Sequence, residues 1–120
     1  MKIAISAGGQ TLDSAFDSRF GRASGFVIFD TDTAETSYRN NAQNLEAAQG
    51  AGIHAAQNIA ESGATVLITG HCGPNAFRVL KAAGIKVYQT RAETAGFALH
   101  QFQAGSLTEA TNPDVEGHWA

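Results

Sequence analysis

Two consecutive phrases of this chain share one pattern, and together they constrain the fold more than anything else in it. Residues 60–70 (AESGATVLITG) and 81–90 (KAAGIKVYQT) each pass from the end of a helical segment through a glycine into an apolar, β-rich run. A strand reached through a helix returns in the direction of its predecessor, so two such units in succession impose parallel strands. Thr65 to Thr69 (TVLIT) is continuous rather than alternating, the mark of a strand covered on both faces. A layered α/β domain follows. The two phrases are neighbouring αβ units, not a duplicated domain.

The remaining elements fall around these two. Lys2–Ala7 reads as a first strand ended by Gly8 and Gly9, and Phe26–Phe29 as a buried second strand. Asp30–Thr33 has turn chemistry, because aspartate side chains bond nearby backbone amides. Glu35–Arg39 is then a short polar strand suited to a sheet edge. In Ala51–Ser62 the apolar Ile53, Ala56, Ile59 and Ala60 oppose His54, Gln57, Asn58 and Glu61, which predicts an amphipathic helix closed by Gly63. A second helix opens at Pro74 with Gly73 as its N-cap and carries Ala76, Phe77, Val79, Leu80 and Ala83 inward. Ile85–Gln89 is the last strand. Glu93–Phe102 is the last helix, with Ala95, Phe97, Ala98, Leu99 and Phe102 apolar. The order is β-β-β-α-β-α-β-α: one α/β domain over residues 1–104, a five-stranded mixed sheet with helices packed on it. Residues 105–120 are Ser/Thr/Asn/Pro-rich and are expected to form a partly mobile tail.

Composition narrows the function classes. A length of 120 residues with 43% hydrophobic content suits a single folded domain. The net charge is −3 and the eight Lys and Arg are scattered, so no nucleic acid partner is expected. Cys72 is the one cysteine, so no disulfide can close within the chain, which fits a reducing compartment. No apolar run approaches the roughly 20 residues that span a bilayer, and the start MKIAISAGGQ is too short an apolar run for a signal peptide. A soluble, cytoplasmic protein is expected. The first and fourth strands carry no carboxylate, which argues against an Mg²⁺-dependent hydrolase. Neither paired carboxylates nor C-x-x-C stand near the loops, and no Ser-His-Asp set has loop support, so a binding protein is expected rather than an enzyme.

The topology gathers loops 8–25, 40–51, 70–74 and 90–92 along one edge of the sheet, at the carboxyl ends of the parallel strands, where open α/β sheets bind ligands. Arg19-Phe20-Gly21-Arg22 places two guanidiniums about a glycine, a fork suited to an anion or simply two solvated arginines at a turn. His71-Cys72-Gly73-Pro74-Asn75 opens the second helix, whose first amides and dipole favour negative charge. His71 and Cys72 are candidate metal ligands, although a lone cysteine is as readily a small buried apolar residue. Gly50-Ala51-Gly52 sets a second helix N-terminus, or a plain hinge, at the same edge. It is not part of a phosphate-binding G-x-x-x-x-G-K motif. His118-Trp119 either folds over the site or frays with the tail.

Three segments, Asp17–Ala23 (DSRFGRA), Gln49–Ile53 (QGAGI) and Ile68–Phe77 (ITGHCGPNAF), make the chain similar to the dinitrogenase iron–molybdenum cofactor biosynthesis family. The similarity runs from Met1 to about Ala104, and GHCGPNAF most resembles the small orange proteins of sulfate-reducing bacteria. What the resemblance implies is a ribonuclease-H-like fold and a carrier role. The cargo it implies is a molybdenum–copper sulfide cluster held largely without covalent ligands, or alternatively the iron–molybdenum cofactor or its precursor. It also implies partner ATPases. Transferred residue by residue, it places cofactor contacts at Arg19, Phe20, Gly21, Arg22, Gly50, Gly52, Gly73, Pro74 and Asn75, with His71 and Cys72 nearest the metal. The histidine-rich tail of some relatives is reduced to His118, which departs from that pattern.

Overall fold

In the computed structural model, which describes residues 1–41 and 50–111, eight elements follow the expected order. They are β1 (Lys2–Ala7), β2 (Gly25–Asp30), β3 (Thr36–Asn40), α1 (Ala51–Glu61), β4 (Val66–Thr69), α2 (Pro74–Ala82), β5 (Lys86–Gln89) and α3 (Ala95–Gln103). Their ends differ from the sequence expectation by a residue or two. The sheet order is β3-β2-β1-β4-β5, with β1–β2 and β2–β3 antiparallel and β1–β4 and β4–β5 parallel. This is the mixed five-stranded sheet the two αβ phrases require. The polar strand β3 lies at an edge, as its charge suggested.

The sheet separates two apolar layers, which is why β4 is buried at every position. On one face Ala4, Phe26, Ile28, Leu67 and Val87 meet Ala55, Ala56 and Ile59 of α1 and Ala76, Phe77 and Leu80 of α2. On the other, Ile3, Ile5, Val27, Val66 and Ile68 meet Ala95, Ala98 and Leu99 of α3.

Two helix faces differ from the expected stripes. α1 buries Ala51, Ala55, Ala56 and Ile59, while Ala60 is exposed and Ile53 is half-buried. The small alanines let α1 settle close against α2, where a methyl group on Gly52 would lie 3.1 Å from the Ala76 Cβ. In α3, Phe97 points outward at 52% exposure and stacks on His100 with ring centroids 6.3 Å apart. Ala95, Ala98 and Leu99 fill the inward arc instead. Of the expected tail, Ala110 donates its N–H to the Val87 carbonyl at 2.8 Å, beside a bridge between Tyr88 and Glu109. Most of the loop expected at 40–50, and His118 and Trp119, lie outside the described residues. Among the described residues no helix is long and apolar enough to cross a membrane.

The α1 assignment can be checked by unfolding. Ile59 is fully buried, so Ile59→Ala should cost about 2–5 kcal/mol, whereas the exposed Ala60→Gln should change stability by less than about 0.5 kcal/mol. Urea titrations of both variants, with unchanged slope, give the comparison.

Candidate functional site

The loop after β1 is long, and its shape is set by ties to its neighbours. Gly8 and Ala15 pair across it through an N–H to carbonyl bond of 2.8 Å. The Ser6 hydroxyl, at the end of β1, donates to the Asp17 carbonyl at 2.6 Å and lies 2.9 Å from the Thr69 hydroxyl of β4. Ser6 and Thr69 are both fully buried, and these bonds satisfy their polar atoms. The loop then runs beside the start of the loop after β4. His71 N–H donates to the Ser18 carbonyl at 2.6 Å, and Phe20 N–H to the His71 carbonyl at 3.3 Å, a short parallel bridge. Gly70 makes this approach possible: a methyl group there would lie 2.6–2.7 Å from the Ser18 Cβ, Cα and carbonyl oxygen.

The next turn brings Gly21 against α1, where a side chain would sit 3.0 Å from the Gly52 nitrogen. Asn41 fixes this turn from below. It is fully buried, and its amide donates to the Ala23 carbonyl at 2.9 Å and the Gly21 carbonyl at 3.3 Å.

These contacts enclose a cleft of about 470 Å³. Its lining comprises Phe20 and Gly21 from the first loop, Gly50, Gly52 and Ile53 from the start of α1, and His71, Gly73, Pro74, Asn75 and Ala76 from the start of α2. Two helices thus begin at one cleft. Among the described residues neither has a side-chain cap, and neither carries an acid in its first turn. Gly50 holds the α1 N-cap in the left-handed region at φ 77°, which glycine adopts without strain. Gly73 is the extended N-cap of α2, with Pro74 in the first turn. The first-turn amides of a helix have no intrahelical acceptor, and both dipoles present their positive ends here. Phe20, 2% exposed and 5.4 Å from Phe26 between ring centroids, makes an apolar wall. The arrangement suits an anion with apolar or soft faces.

Eight of the eleven residues singled out in the sequence lie on this cleft; Arg19, Arg22 and Cys72 do not line it. Arg19 is 67% exposed at its side chain and pairs with Asp17 at 3.4 Å. Arg22 is half-buried on the same loop. Cys72 is 1% exposed and packs in the layer beneath α1 and α2. His71 lies on the cleft with its Nδ1 shielded from solvent. Among the described residues no three His, Cys, Asp or Glu side chains form a metal-binding group. Sequence reasoning missed Ser18, Asn41, Ile53, Gly70 and Ala76. Gly70 offered a signal, since it and Gly73 bracket His71 and Cys72. Asn41 offered none, because its role depends on a tertiary contact.

The chain belongs to the dinitrogenase iron-molybdenum cofactor family, whose model matches residues 1–105. It is 45% identical to the orange protein of Desulfovibrio gigas, solved in its apo form; the match covers 95% of this chain and 96% of that one, with a TM-score of 0.91. It is 36% identical to a Thermotoga protein described as a candidate NifB protein, over 97% and 98% of the two chains, with a TM-score of 0.84. A candidate dinitrogenase of Methanocaldococcus jannaschii, 18% identical with a TM-score of 0.68 over 94% and 97%, shares the fold. No curated protein matches the chain in sequence. The family and the orange-protein likeness point to a cofactor-binding or carrier role.

The ties that shape the cleft should be measurable without any ligand. Gly70→Ala forces the two loops apart and should destabilise the fold by about 1–3 kcal/mol. Asn41→Ala leaves two carbonyls without their donor and should cost about 1–3 kcal/mol. Thermal unfolding of each variant reads the loss.

Proposed function

We propose that the chain carries an anionic metal–sulfur cluster, held largely without covalent ligands in the cleft between the first turns of α1 and α2. The observation that carries this reading is the pair of helix N-termini, each with a glycine N-cap and no acid in its first turn, that open onto one cleft. A cluster that brings its own sulfides needs positive potential, amide donors and an apolar wall rather than a quartet of cysteines. The amides of Gly52, Ile53, Asn75 and Ala76 and the ring of Phe20 supply these at the cleft. Gly21, Gly50, Gly73 and Pro74 keep its rim free of bulky polar side chains. His71, on the lining, is the residue placed to touch the metal side, and Cys72 supports that loop from the core. Arg19 and Arg22, on the adjoining loop, add positive field over the opening.

The cargo proposed is a molybdenum–copper sulfide cluster, on the strength of the likeness to an orange protein. The family description makes an iron–molybdenum cofactor or its precursor the alternative. In either case the chain binds and delivers, without catalysing a reaction of its own.

Two experiments test this. Apo-protein mixed with a copper salt and tetrathiomolybdate, then desalted, should keep strong visible absorption with molybdenum and copper in fixed ratio. Colourless protein that retains an iron–molybdenum precursor would move the cargo to the alternative, and retention of neither would overturn the reading. The second experiment separates binding from folding. Gly73→Asp has room for its side chain and caps α2, so it should raise stability by a few tenths to about 1 kcal/mol. Its carboxylate opposes an anion at the same helix end, so cluster retention should fall about tenfold or more. Arg19→Ala with Arg22→Ala should weaken retention and leave unfolding unchanged; wild-type retention by that pair would remove the arginines from the account.

A further inference from the structure

The two edges of the sheet are finished differently. β3, at one edge, is polar and carries Arg39, which is bonded to Asn58 and paired with Glu61 of α1. β5, at the other, is covered by the chain itself. Lys86 and Thr90 direct their N–H groups to Thr65 and Thr69, on the β4 side. Val87 therefore turns its backbone outward, and its carbonyl accepts the Ala110 N–H at 2.8 Å. Tyr88 and Glu109 form an antiparallel bridge at the same place.

The side chains of this segment divide between the two layers of the core. Leu107 packs against the layer under α3, and Ala110 against the layer under α1 and α2. Ala110 and Thr111 also close a small cavity of about 80 Å³ with Phe77, Ile85 and Val87. The segment thus plugs the sheet edge with one apolar residue on each side. It lies beyond residue 105, where the family match ends, and it follows the turn at Gly105, φ 76°, that closes α3 with Gly105 N–H on the Phe102 carbonyl and Ser106 N–H on the Gln101 carbonyl, each at 3.0 Å.

We propose that the outer edge of β5 is a strand-addition site that residues 107–110 occupy in cis, and that its external partner is an extended protein segment with an apolar residue followed, three positions on, by a small apolar one. Edge strands recognise extended segments through main-chain bonds, and the pockets beside them choose the side chains. The resident segment shows which side chains this edge takes: a leucine on the α3 side and an alanine on the α1–α2 side. Among the described residues its main-chain hold is one short bridge, Tyr88 with Glu109, that includes the Ala110–Val87 bond, beside the packing of Leu107 and Ala110, so a segment making a longer ladder with the same side chains displaces it.

The test uses the full-length chain, labelled for NMR, and a synthetic peptide with its own 106–111 sequence. Ala110→Pro removes the donor N–H and should empty the edge. The peptide should then shift the resonances of Val87 to Gln89 in Ala110→Pro, with at least tenfold tighter binding than to the wild-type chain, whose edge is occupied. Binding to neither chain, or equal binding to both, overturns the proposal. Should Ala110→Pro not fold, Leu107→Asp provides the second open-edge chain. Failure of both to fold would also overturn it, since a plug the fold requires is not exchangeable. None of these outcomes depends on cluster binding.

Discussion

The hydrogen bond from the His71 N–H to the Ser18 carbonyl, 2.6 Å long, joins the loop after β1 to the loop after β4 and sets the position of everything above it. It forms only because Gly70 has no side chain to strike Ser18. Once it is made, the Phe20 N–H meets the His71 carbonyl, and Gly21 reaches the first turn of α1. The cleft is therefore a consequence of two steric permissions, at Gly70 and Gly21, more than of any strong attraction. Buried hydroxyls at Ser6 and Thr69 and the buried amide of Asn41 then hold the loops where those permissions allow.

The proposed function asks how a chain of net charge −3 would offer an anion site, and this geometry supplies an answer. The positive potential does not come from a basic patch. On the proposed reading it comes from two helix ends that begin on glycine and carry no acid in the first turn, whose backbone amides have no intrahelical acceptor. Ser, Thr, Asp and Asn are preferred N-caps because their side chains accept a bond from the first turn. α3 has such a cap, with the Thr94 hydroxyl accepting from Phe97 N–H at 3.1 Å. α1 and α2 use glycine instead, and both glycines face the cleft.

Much of this was legible before the structure. The helix–glycine–strand phrases fixed the parallel half of the sheet, and the turn at Asp30 fixed the antiparallel half. Because strand direction follows from connectivity, the convergence of the loops at one edge could be derived from order alone. That argument placed Phe20, Gly21, Gly50, Gly52 and residues 71 and 73–75 near one another, and the cleft contains them. What it could not give was side-chain direction within a loop. Arg19 turns to Asp17, and Cys72 turns into the core, although both neighbour cleft residues in sequence. Nor could periodicity choose the buried arc of α1, because alanine is apolar enough for either side. The choice follows from close packing of Gly52 against Ala76, which leaves Ile53 on the cleft.

The central claim is that two helix N-termini together hold the anion. It is tested most directly by titrating tetrathiomolybdate, a sulfide-bearing anion, into the isotopically labelled protein and following each backbone amide. The account predicts that the largest shifts fall together on Gly52, Ile53, Asn75 and Ala76, with a common affinity. Shifts confined to Arg19 and the exposed face of its loop, or absent from both helix ends, would contradict it.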